Sequence, residues 1–264
     1  MTPHGAGPKP QTTPGLDVLM IGARLPSRSE TFVYREVSAL RAEGLSVGVA
    51  SVHPPQRGLE DPTLDAMADA ALPVYGRRYL GLLRGLLAAA AWPPAWAALR
   101  LGHRVAWREA DAGTTLRDRV KLFVQTLGGV GLAHRLRRRG VRHVHAHMAH
   151  VPASVAMAAA ASLRVPFSVT GHAADLFRDG RFLRAKLSRA AFVACISDWH
   201  RGWYRALLDS KDETAQPALP IVRCGVDVPA EATPVPADGG IVCVARLVPK
   251  KGLHWATTIE IRPF

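Results

Sequence analysis

"LDVLMIGARLPSRSETFVYREVSALRAEGLSVGVASVH" (residues 16–53) is the stretch that predicts the fold class of this chain. Residues 16–22 form a largely apolar run of strand length that ends in glycine, and residues 45–53 form a second such run. Gly44, just before the second run, is a typical helix stop. The apolar residues between the two runs recur at helical spacing, at Val33, Val37 and Leu40. Unbroken apolar strands are typical of a parallel sheet that is covered on both faces, so the stretch predicts a strand–helix–strand unit of an α/β protein.

The following part of the chain repeats this alternation. Residues 60–140 have a helical pattern that is broken at Pro93 and Pro94. Apolar stretches of strand length follow at residues 143–148, 166–171, 191–197, 219–227 and 241–247. The alternation predicts an α/β fold with a Rossmann-like, doubly wound parallel sheet.

One Pro/Ala/Gly-rich stretch, "VPAEATPVPADGG", predicts a domain boundary. We expect a disordered leader over residues 1–15, one complete domain over residues 16–228 and a linker over residues 229–240. Residues 241–264 supply a single strand and part of a helix, which cannot bury both faces of a sheet. They are expected to be the start of a second, C-terminally truncated domain.

The net charge of +13 indicates an anionic partner. Positive residues concentrate in "GRRYLGLLRG" (76–85) and "HRLRRRGVRH" (134–143), where arginine alternates with leucine-rich faces. A solvated arginine-rich surface and contact with an acidic membrane surface both agree with this pattern. No zinc-finger, RNA-recognition or helix-turn-helix pattern accompanies the charge, so no nucleic-acid partner is expected. The longest apolar run, residues 85–99, contains two prolines and is shorter than the roughly 20 residues of a membrane-spanning helix.

The N-terminal residues have no apolar stretch typical of a secretory signal. The cysteines are widely spaced and lie in apolar, strand-like runs, which predicts buried free thiols in a reducing compartment. We therefore expect a cytoplasmic protein, peripheral on the inner membrane face. The three cysteines are Cys195, Cys224 and Cys243.

Polar residues follow the first strand at the point where the first helix begins. Ser29, Glu30 and Thr31 stand there, at the edge of the sheet where ligands bind in such folds. Backbone N–H groups at the start of the helix could face an anionic sugar or phosphate. The alternative is a capping box, in which Ser27 and Glu30 close the helix N-terminus by themselves.

A cluster of histidines, "HVHAHMAH" (143–150), lies on the next predicted strand. His143, His145 and His147 alternate, so they are expected on one face of the strand. Three functions remain open: a zinc site, a buried structural role, and contact with an acceptor through His147 or His150.

Near the C-terminus, "CVARLVPKKG" reads as a strand that delivers Arg246, Lys250 and Lys251 to a flexible turn. This combination is typical of a phosphate-binding loop, although a solvated loop has the same composition. Two further strand ends carry polar residues: His172 follows a strand and a glycine, and Ser197 ends the strand before "DWHRGWYRALL". Ser197 either caps that helix or contacts a ligand.

Six motifs in this order resemble the retaining glycosyltransferases of family 4, which have the GT-B fold. The resemblance covers about residues 16–254 and is greatest to the bacterial exopolysaccharide enzymes of the colanic-acid type. The motifs are "LPSRSETFVYREVSALRAEG", "HVHAHMAH", "FSVTGHAADLF", "FVACISDW", "VRCGVD" and "VARLVPKKG".

The resemblance implies an acceptor-binding first domain and a donor-binding second domain that face a common cleft. It implies that Arg246 and Lys251 bind the diphosphate of a nucleotide-sugar donor, with Ser197 nearby, and that His172 contacts the transferred sugar. It places Ser29, Glu30, Thr31 and His147 on the acceptor side. It implies a saccharide or lipid-linked saccharide acceptor, transfer with retention of configuration, and neither a metal nor a cofactor.

The chain departs from the family pattern in two respects: Cys224 stands where relatives often carry asparagine, and the two glutamates that hold the donor in the second domain are not found. A non-catalytic module that keeps acceptor or membrane affinity is therefore the alternative to an active enzyme. A zinc hydrolase built on the histidine cluster and a nucleic-acid-binding protein are two further alternatives.

Overall fold

The computed structural model describes residues 15–76, 80–172, 180–208 and 216–225, together with residues 228, 230 and 231. It divides the chain after Gly225 into two units, residues 1–225 and 226–264, and the fold given below belongs to the first unit. Several predictions from the sequence lie outside the described residues and stay predictions. They concern the leader up to residue 14, the linker, the strand at 241–247, Arg246 and Lys251.

The centre of the fold is a six-stranded sheet in which all neighbouring strands are parallel, which confirms the predicted Rossmann-like α/β fold. The strands are β1 (Val18–Gly22), β2 (Val47–Ser51), β3 (Leu72–Pro73), β4 (His143–His147), β5 (Phe167–Thr170) and β6 (Val193–Ala194).

The strand order in space is β3-β2-β1-β4-β5-β6. The chain builds outward from β1 to β3, crosses back, and continues from β4 on the other side of β1. Val18 of β1 is therefore paired with Val47 of β2 and with His143 of β4. In open parallel sheets, this reversal of direction leaves a crevice at the carboxyl ends of the two central strands, where ligands bind.

Eight helices cover the sheet within the described residues. Helices α1 and α2 pack on one face, against Met20, Val47 and Val49. The larger core lies on the other face, where Leu19, Ile21 and Val144 meet the helices between β3 and β5. The helices are α1 (Thr31–Ala42), α2 (Pro62–Ala70), α3 (Leu80–Ala91), α4 (Pro94–Trp107), α5 (Leu116–Leu136), α6 (Val151–Leu163), α7 (Leu183–Leu187) and α8 (Asp198–Leu208).

The ends of these helices follow from local sequence. Gly44, the predicted stop of α1, has φ +86°, which glycine adopts without steric cost. Asp61 caps α2 by accepting hydrogen bonds from the backbone of Thr63 and Leu64. Thr115 and Asp118 form a capping box at the start of α5.

Glycines allow α3 and α5 to approach each other closely. A Cβ atom on Gly85 would lie 2.2 Å from the carbonyl oxygen of Leu127, and one on Gly131 would lie 2.5 Å from that of Gly81. Because α3 buries its small residues in this contact, its leucines Leu80, Leu83, Leu86 and Leu87 are exposed.

The chain bends by 109° between α3 and α4, at the predicted break near Pro93. No single helix in the described part of the chain is long and apolar enough to cross a membrane. The two helices meet that criterion only when taken together, across the bend.

Two details differ from the sequence predictions. The predicted strand at 219–227 is wrong over its described residues 219–225, since Ala218 and Ile221 make only isolated bridges there, to Phe192 and Cys195. Pro217 and Pro220 lack the N–H groups that a continuous ladder requires. The short edge strand β3 lies in the region for which only helices were predicted.

The prediction of buried thiols holds for one of the two cysteines that the structure describes. Cys195 is buried and free, and burial raises the pKa of its thiol to about 11. Cys224 is also free but exposed, which corrects the prediction for that residue, because the segment around it does not enter the sheet.

Candidate functional site

The histidines of β4 share one face of the sheet with two hydroxyl residues of β5, Ser168 and Thr170. The Oγ of Ser168 lies 2.6 Å from Nε2 of His143 and 2.7 Å from Nδ1 of His145. Nε2 of His145 lies 2.9 Å from Oγ1 of Thr170. Burial lowers the pKa of His145 to about 3, so the ring is neutral near pH 7 and is held by neutral hydrogen bonds.

The last histidine of β4, His147, lies at the carboxyl end of the strand beside an acidic residue of α1. Its ring is 1% exposed, and its Nε2 lies 3.1 Å from Oε2 of Glu36. The other carboxylate oxygen of Glu36 lies 4.0 Å from Nε2 of His145. Burial acts to raise the pKa of Glu36, but His147, with His145 and His172, holds that pKa below its ordinary value.

The second ring nitrogen of His147, Nδ1, indicates that this residue has a role in ligand binding as well as in the fold. Nδ1 is buried and has no hydrogen-bond partner among the described residues, and Nε2 approaches Glu36 without the geometry of a hydrogen bond. Leaving a buried polar atom without a partner costs about 1–3 kcal/mol, so such atoms concentrate where a ligand or water completes the contact. His147 is therefore placed to contact a ligand at the carboxyl edge of β4.

His172 follows β5 and Gly171 at the same edge of the sheet. Its ring centroid lies 5.8 Å from that of His147, with the planes stacked, and 4.5 Å from that of Phe32. The side chain is 8% exposed, and burial, followed by the charges of neighbouring histidines, lowers its pKa to about 3. The neutral imidazole can donate or accept a hydrogen bond but does not supply positive charge at neutral pH.

Gly171 is required for this placement of His172. A Cβ atom on Gly171 would lie 1.8 Å from the hydroxyl oxygen of the buried Tyr204 in α8. The close approach of the backbone to that ring fixes the segment between β5 and His172 against α8.

The loop between β1 and α1 brings a second carboxyl group to the edge. Glu30 occupies the N-cap position of α1 and makes no side-chain capping hydrogen bond, so the predicted alternative of a Ser27–Glu30 capping box is wrong. Oε2 of Glu30 is buried without a hydrogen-bond partner among the described residues. Burial raises the pKa of Glu30, and the charge of His147 opposes that rise, which places the carboxyl group in the same environment as the histidines.

The other predicted residues of this loop are more peripheral. Ser29 is exposed, and its Oγ lies 3.4 Å from that of Ser27. Thr31 is the half-buried first residue of α1. Both lie beside Glu30, so the three residues of the predicted acceptor group stay together.

Ser197 lies after β6, where its hydroxyl accepts a hydrogen bond from the backbone N–H of His200 at 3.2 Å. This is the helix-capping role that the sequence left open, here at the start of α8. Contact of Ser197 with a donor stays a prediction.

The structure thus brings three predicted residues, His147, His172 and Glu30, together at the carboxyl ends of the central strands. Sequence reasoning missed Glu36 and Phe32, which complete the cluster. A signal for Glu36 was present, because it lies between Val33 and Val37 on the buried side of α1, where an acidic residue requires a partner.

Glu36, His145 and His147 could hold a metal ion. Their ligand atoms lie within 4.8 Å of one another, and two histidines with one carboxylate suit zinc or iron. Nε2 of His145 would have to exchange its contact with Thr170 for the metal. The prediction of a metal-independent protein stays a prediction.

The sequence matches no protein-family model and no curated protein. The resemblance to glycosyltransferases therefore depends on the quoted motifs alone. Any function must be argued from the chemistry of this edge of the sheet.

Proposed function

We propose that the chain is a glycosyltransferase of the GT-B type that moves a sugar from a nucleotide-diphosphate sugar to a saccharide acceptor with retention. The observation that carries the proposal is the position of His172. This neutral, largely buried imidazole stands at the carboxyl edge of a Rossmann-like sheet, between Phe32 and His147. Such an edge is where parallel α/β sheets bind their ligands.

A neutral histidine suits the chemistry of sugar transfer. As the bond between the anomeric carbon and the phosphate oxygen breaks, positive charge develops on the sugar ring. A cationic imidazole would oppose that charge, whereas a neutral one can hydrogen-bond a sugar hydroxyl and orient the ring. The depressed pKa of His172 keeps it in the neutral form throughout the physiological range.

The acceptor side consists of Ser29, Glu30, Thr31 and His147. The unpaired oxygen of Glu30 and Nδ1 of His147 offer hydrogen-bonding positions for saccharide hydroxyl groups. Saccharides are bound mainly through such hydroxyl contacts, and pairing these buried atoms would remove the cost of leaving them unsatisfied. Glu36 orients His147 by contacting its Nε2.

For the donor side we propose, from the resemblance alone, that Arg246 and Lys251 bind the diphosphate and that Ser197 also binds the donor. The acceptor oxygen forms a bond to the anomeric carbon while the sugar–phosphate bond breaks, and the acceptor proton passes to the leaving phosphate oxygen. The two cations offset the charge that develops on the leaving nucleoside diphosphate. This scheme requires no protein nucleophile, metal or cofactor.

The proposed setting is cell-surface polysaccharide synthesis at the cytoplasmic face of the inner membrane, with a lipid-linked acceptor. The net charge of +13 and the exposed leucines of α3 support a peripheral contact with acidic lipids. No nucleic-acid partner is proposed.

The purified chain tests this function when it is incubated with a panel of radiolabelled nucleotide sugars and lipid-linked saccharide acceptors. We expect acceptor-dependent release of nucleoside diphosphate, and a loss of about 100-fold or more in the His172→Ala variant, the usual scale for an electrostatic or positioning group. His103→Ala is the matched control, since His103 is an exposed histidine on α4 away from the site. A folded wild-type chain that transfers no sugar would favour the non-catalytic module instead.

A metal-dependent enzyme is the second candidate, and the Glu36–His145–His147 cluster favours it. Metal analysis of protein purified without a histidine tag separates the two candidates. We expect much less than one equivalent of zinc or iron, and activity that is insensitive to chelators. One bound equivalent that disappears in Glu36→Gln would support the metal-dependent enzyme.

A further inference from the structure

Glu36, His145 and His147 bring three metal-binding groups together, and one of their contacts lacks the geometry of a hydrogen bond. Nε2 of the buried His147 lies only 3.1 Å from Oε2 of Glu36 without forming that bond. Two electron-rich atoms this close need either a proton aligned between them or a cation that both can coordinate. The other carboxylate oxygen of Glu36 lies 4.0 Å from Nε2 of His145. The ligand atoms of the three residues lie within 4.8 Å of one another.

These separations are close to those around a zinc ion. Zinc binds nitrogen and oxygen at about 2.0–2.2 Å in a tetrahedron, so two of its ligand atoms lie roughly 3.3–3.6 Å apart. The contact between Glu36 and His147 is already near that value, whereas the contact with His145 has to contract by roughly half an ångström. Nε2 of His145 also has to leave Oγ1 of Thr170, at 2.9 Å. Both changes cost free energy, so we expect a reversible site of moderate affinity.

The protonation states of the three groups suit a metal ion. Burial lowers the pKa of His145 to about 3, so its imidazole is already in the neutral form that binds metals. Burial opposes ionisation of Glu36, but the nearby histidines hold its pKa below its ordinary value and keep the carboxylate charged. Oγ of Ser168 lies 2.7 Å from Nδ1 of His145, where it can fix the ring as outer partners do for metal-binding histidines.

The exposure of the three residues gives an ion both an entrance and a dry site. The side chain of Glu36 is 35% exposed, whereas His145 is 5% exposed and His147 is 1% exposed. An ion therefore reaches the carboxylate from solvent and then binds the imidazoles. A carboxylate in such surroundings attracts a divalent cation more strongly than it does in water.

We propose that Glu36, His145 and His147 reversibly bind one zinc ion, and that the bound ion inhibits sugar transfer. The ion is an inhibitor rather than a cofactor, so the site is compatible with a transferase that needs no metal. The inhibition rests on the proposed function, in which His147 contacts the acceptor. The binding of the ion does not depend on that function.

The donor atoms select zinc among the common divalent ions. Magnesium and calcium prefer sites made of oxygen ligands, whereas two imidazoles and one carboxylate suit zinc. Zinc has no geometric preference of its own, so it tolerates the arrangement that the sheet and α1 impose. Iron(II) suits the same donors but binds more weakly in the usual order of metal affinities.

Zinc on His147 changes what this ring offers to an acceptor. In the metal-free protein, the carboxylate of Glu36 favours a proton on Nε2, which leaves Nδ1 as a hydrogen-bond acceptor. With zinc on Nε2, the single ring proton of the neutral imidazole lies on Nδ1, which becomes a donor. The ion also occupies Glu36. We therefore expect zinc to raise KM for the acceptor more than it lowers kcat.

Titration of the full, untagged chain with zinc chloride against a coloured zinc indicator tests the binding. We expect one equivalent to bind with a Kd on the order of micromolar, and to raise the melting temperature of the wild-type protein. Excess magnesium should not displace it. Cobalt(II) in place of zinc should show the strong visible absorption of a four-coordinate ion. No saturable binding, or displacement by magnesium, would overturn the site.

Two pairs of variants locate the ion. Glu36→Gln should weaken zinc binding by about tenfold or more, whereas Glu43→Gln, an exposed carboxylate at the end of the same helix, should change it by less than about twofold. His145→Gln should weaken binding as Glu36→Gln does, and His103→Gln, on the exposed face of α4, should not. Equal losses within either pair contradict the assignment. Glu36 is only half-buried, so its variant keeps the test available if His145→Gln does not fold.

Transfer assays separate this inference from the proposed function. At low acceptor concentration, zinc at full occupancy should lower acceptor-dependent release of nucleoside diphosphate by about tenfold or more, and a chelator should restore it. His145→Gln, compared with its own zinc-free rate, should lose this sensitivity. Zinc binding by a chain that shows no turnover contradicts only the proposed function. Turnover that is unchanged at full zinc occupancy contradicts only this inference.

Discussion

Three neighbouring imidazoles at one sheet edge are stable only if most of them are uncharged. His145 and His172 are both buried, and burial lowers the pKa of each to about 3. Glu36 is the carboxylate beside them, 3.1 Å from His147. Two of the three rings, His145 and His172, are thus neutral beside the Glu36 carboxylate, which keeps hydrogen-bonding capacity at the edge without an accumulation of positive charge.

The stability of the folded chain should therefore fall with acid. Below pH 6.5, the unfolded chain takes up protons on these two histidines, whereas the folded chain does not until about pH 3. The free energy of unfolding should decrease between pH 6.5 and 3, by up to about 1.4 kcal/mol per pH unit for each histidine, and this contribution is complete above pH 6.5. Urea unfolding at pH 7, 6 and 5 measures how steeply the free energy of unfolding depends on pH.

Variants assign this slope to the cluster. His145→Gln removes one titrating ring and should reduce the slope of stability against pH by about the amount expected for one proton. His103→Gln is the control, because this exposed ring on α4 is solvated in both folded and unfolded chains. A slope that is the same in all three proteins would contradict the neutral state of His145.

At the scale of the elements, the sites depend on close backbone contacts between neighbours. The segment after β5 passes so near to α8 that Gly171 has no room for a side chain beside Tyr204. The helices α3 and α5 meet through glycines in the same way, at Gly85 and Gly131. Such contacts position loops accurately, but they tolerate no added volume because the surrounding atoms are themselves packed.

Gly171→Ala should be strongly destabilising. Its Cβ atom would lie 1.8 Å from Oη and 2.6 Å from Cζ of Tyr204, and the fully buried ring cannot move without displacing its neighbours. We expect a loss of about 1–3 kcal/mol in the free energy of unfolding, measured by urea denaturation, and a displaced His172.

Gly202→Ala, in the middle of α8, is the matched control. No atom lies within 4 Å of the added Cβ, so the higher helix propensity of alanine should stabilise the chain by about 0.5–1 kcal/mol. The two substitutions should therefore change the free energy of unfolding in opposite directions. A Gly171→Ala variant as stable as the wild type would show that α8 does not pack closely against this segment.

For the whole molecule, the net charge and the exposed apolar surface both support the proposed contact with an acidic membrane surface. The chain carries a net charge of +13. Helix α3 has the inverse of a typical core pattern, since it buries Gly81, Gly85 and Ala88 and exposes its leucines next to Arg84. A leucine-rich face flanked by arginine is typical of a helix that lies in the interface of an anionic membrane.

We expect the protein to sediment with vesicles that contain anionic lipid and to be released as the salt concentration rises, because salt screens exposed charges. Leu87→Asp should weaken this association by about tenfold or more, the worth of one inserted leucine side chain. Val222→Asp, which is also exposed but lies outside the helices, should leave it nearly unchanged. Salt-insensitive sedimentation, or equal loss in both variants, would contradict a specific membrane face on α3.

The sequence by itself determined the order and type of the main elements and several residues at strand ends. Apolar strand runs, helical spacing and stops such as Gly44 are local signals, so β1, α1 and β2 could be read directly. His147, His172 and Glu30 could be named in advance because strand ends in a parallel sheet share one edge. The short β3 and the segment after Pro217 were misread, since pairing at a sheet edge depends on neighbours rather than on local period.

Only the tertiary structure decided which of these residues meet. The return of the chain from β3 to the far side of β1 places β4 next to β1, and that crossing brings Glu36 of α1 to His147. The same crossing lays α5 beside the ends of β2 and β3 and forms an apolar groove lined by Val52, Tyr75 and Val120. No local pattern encodes such contacts, because they join segments far apart in the sequence whose pairing is selected by burial of the whole core.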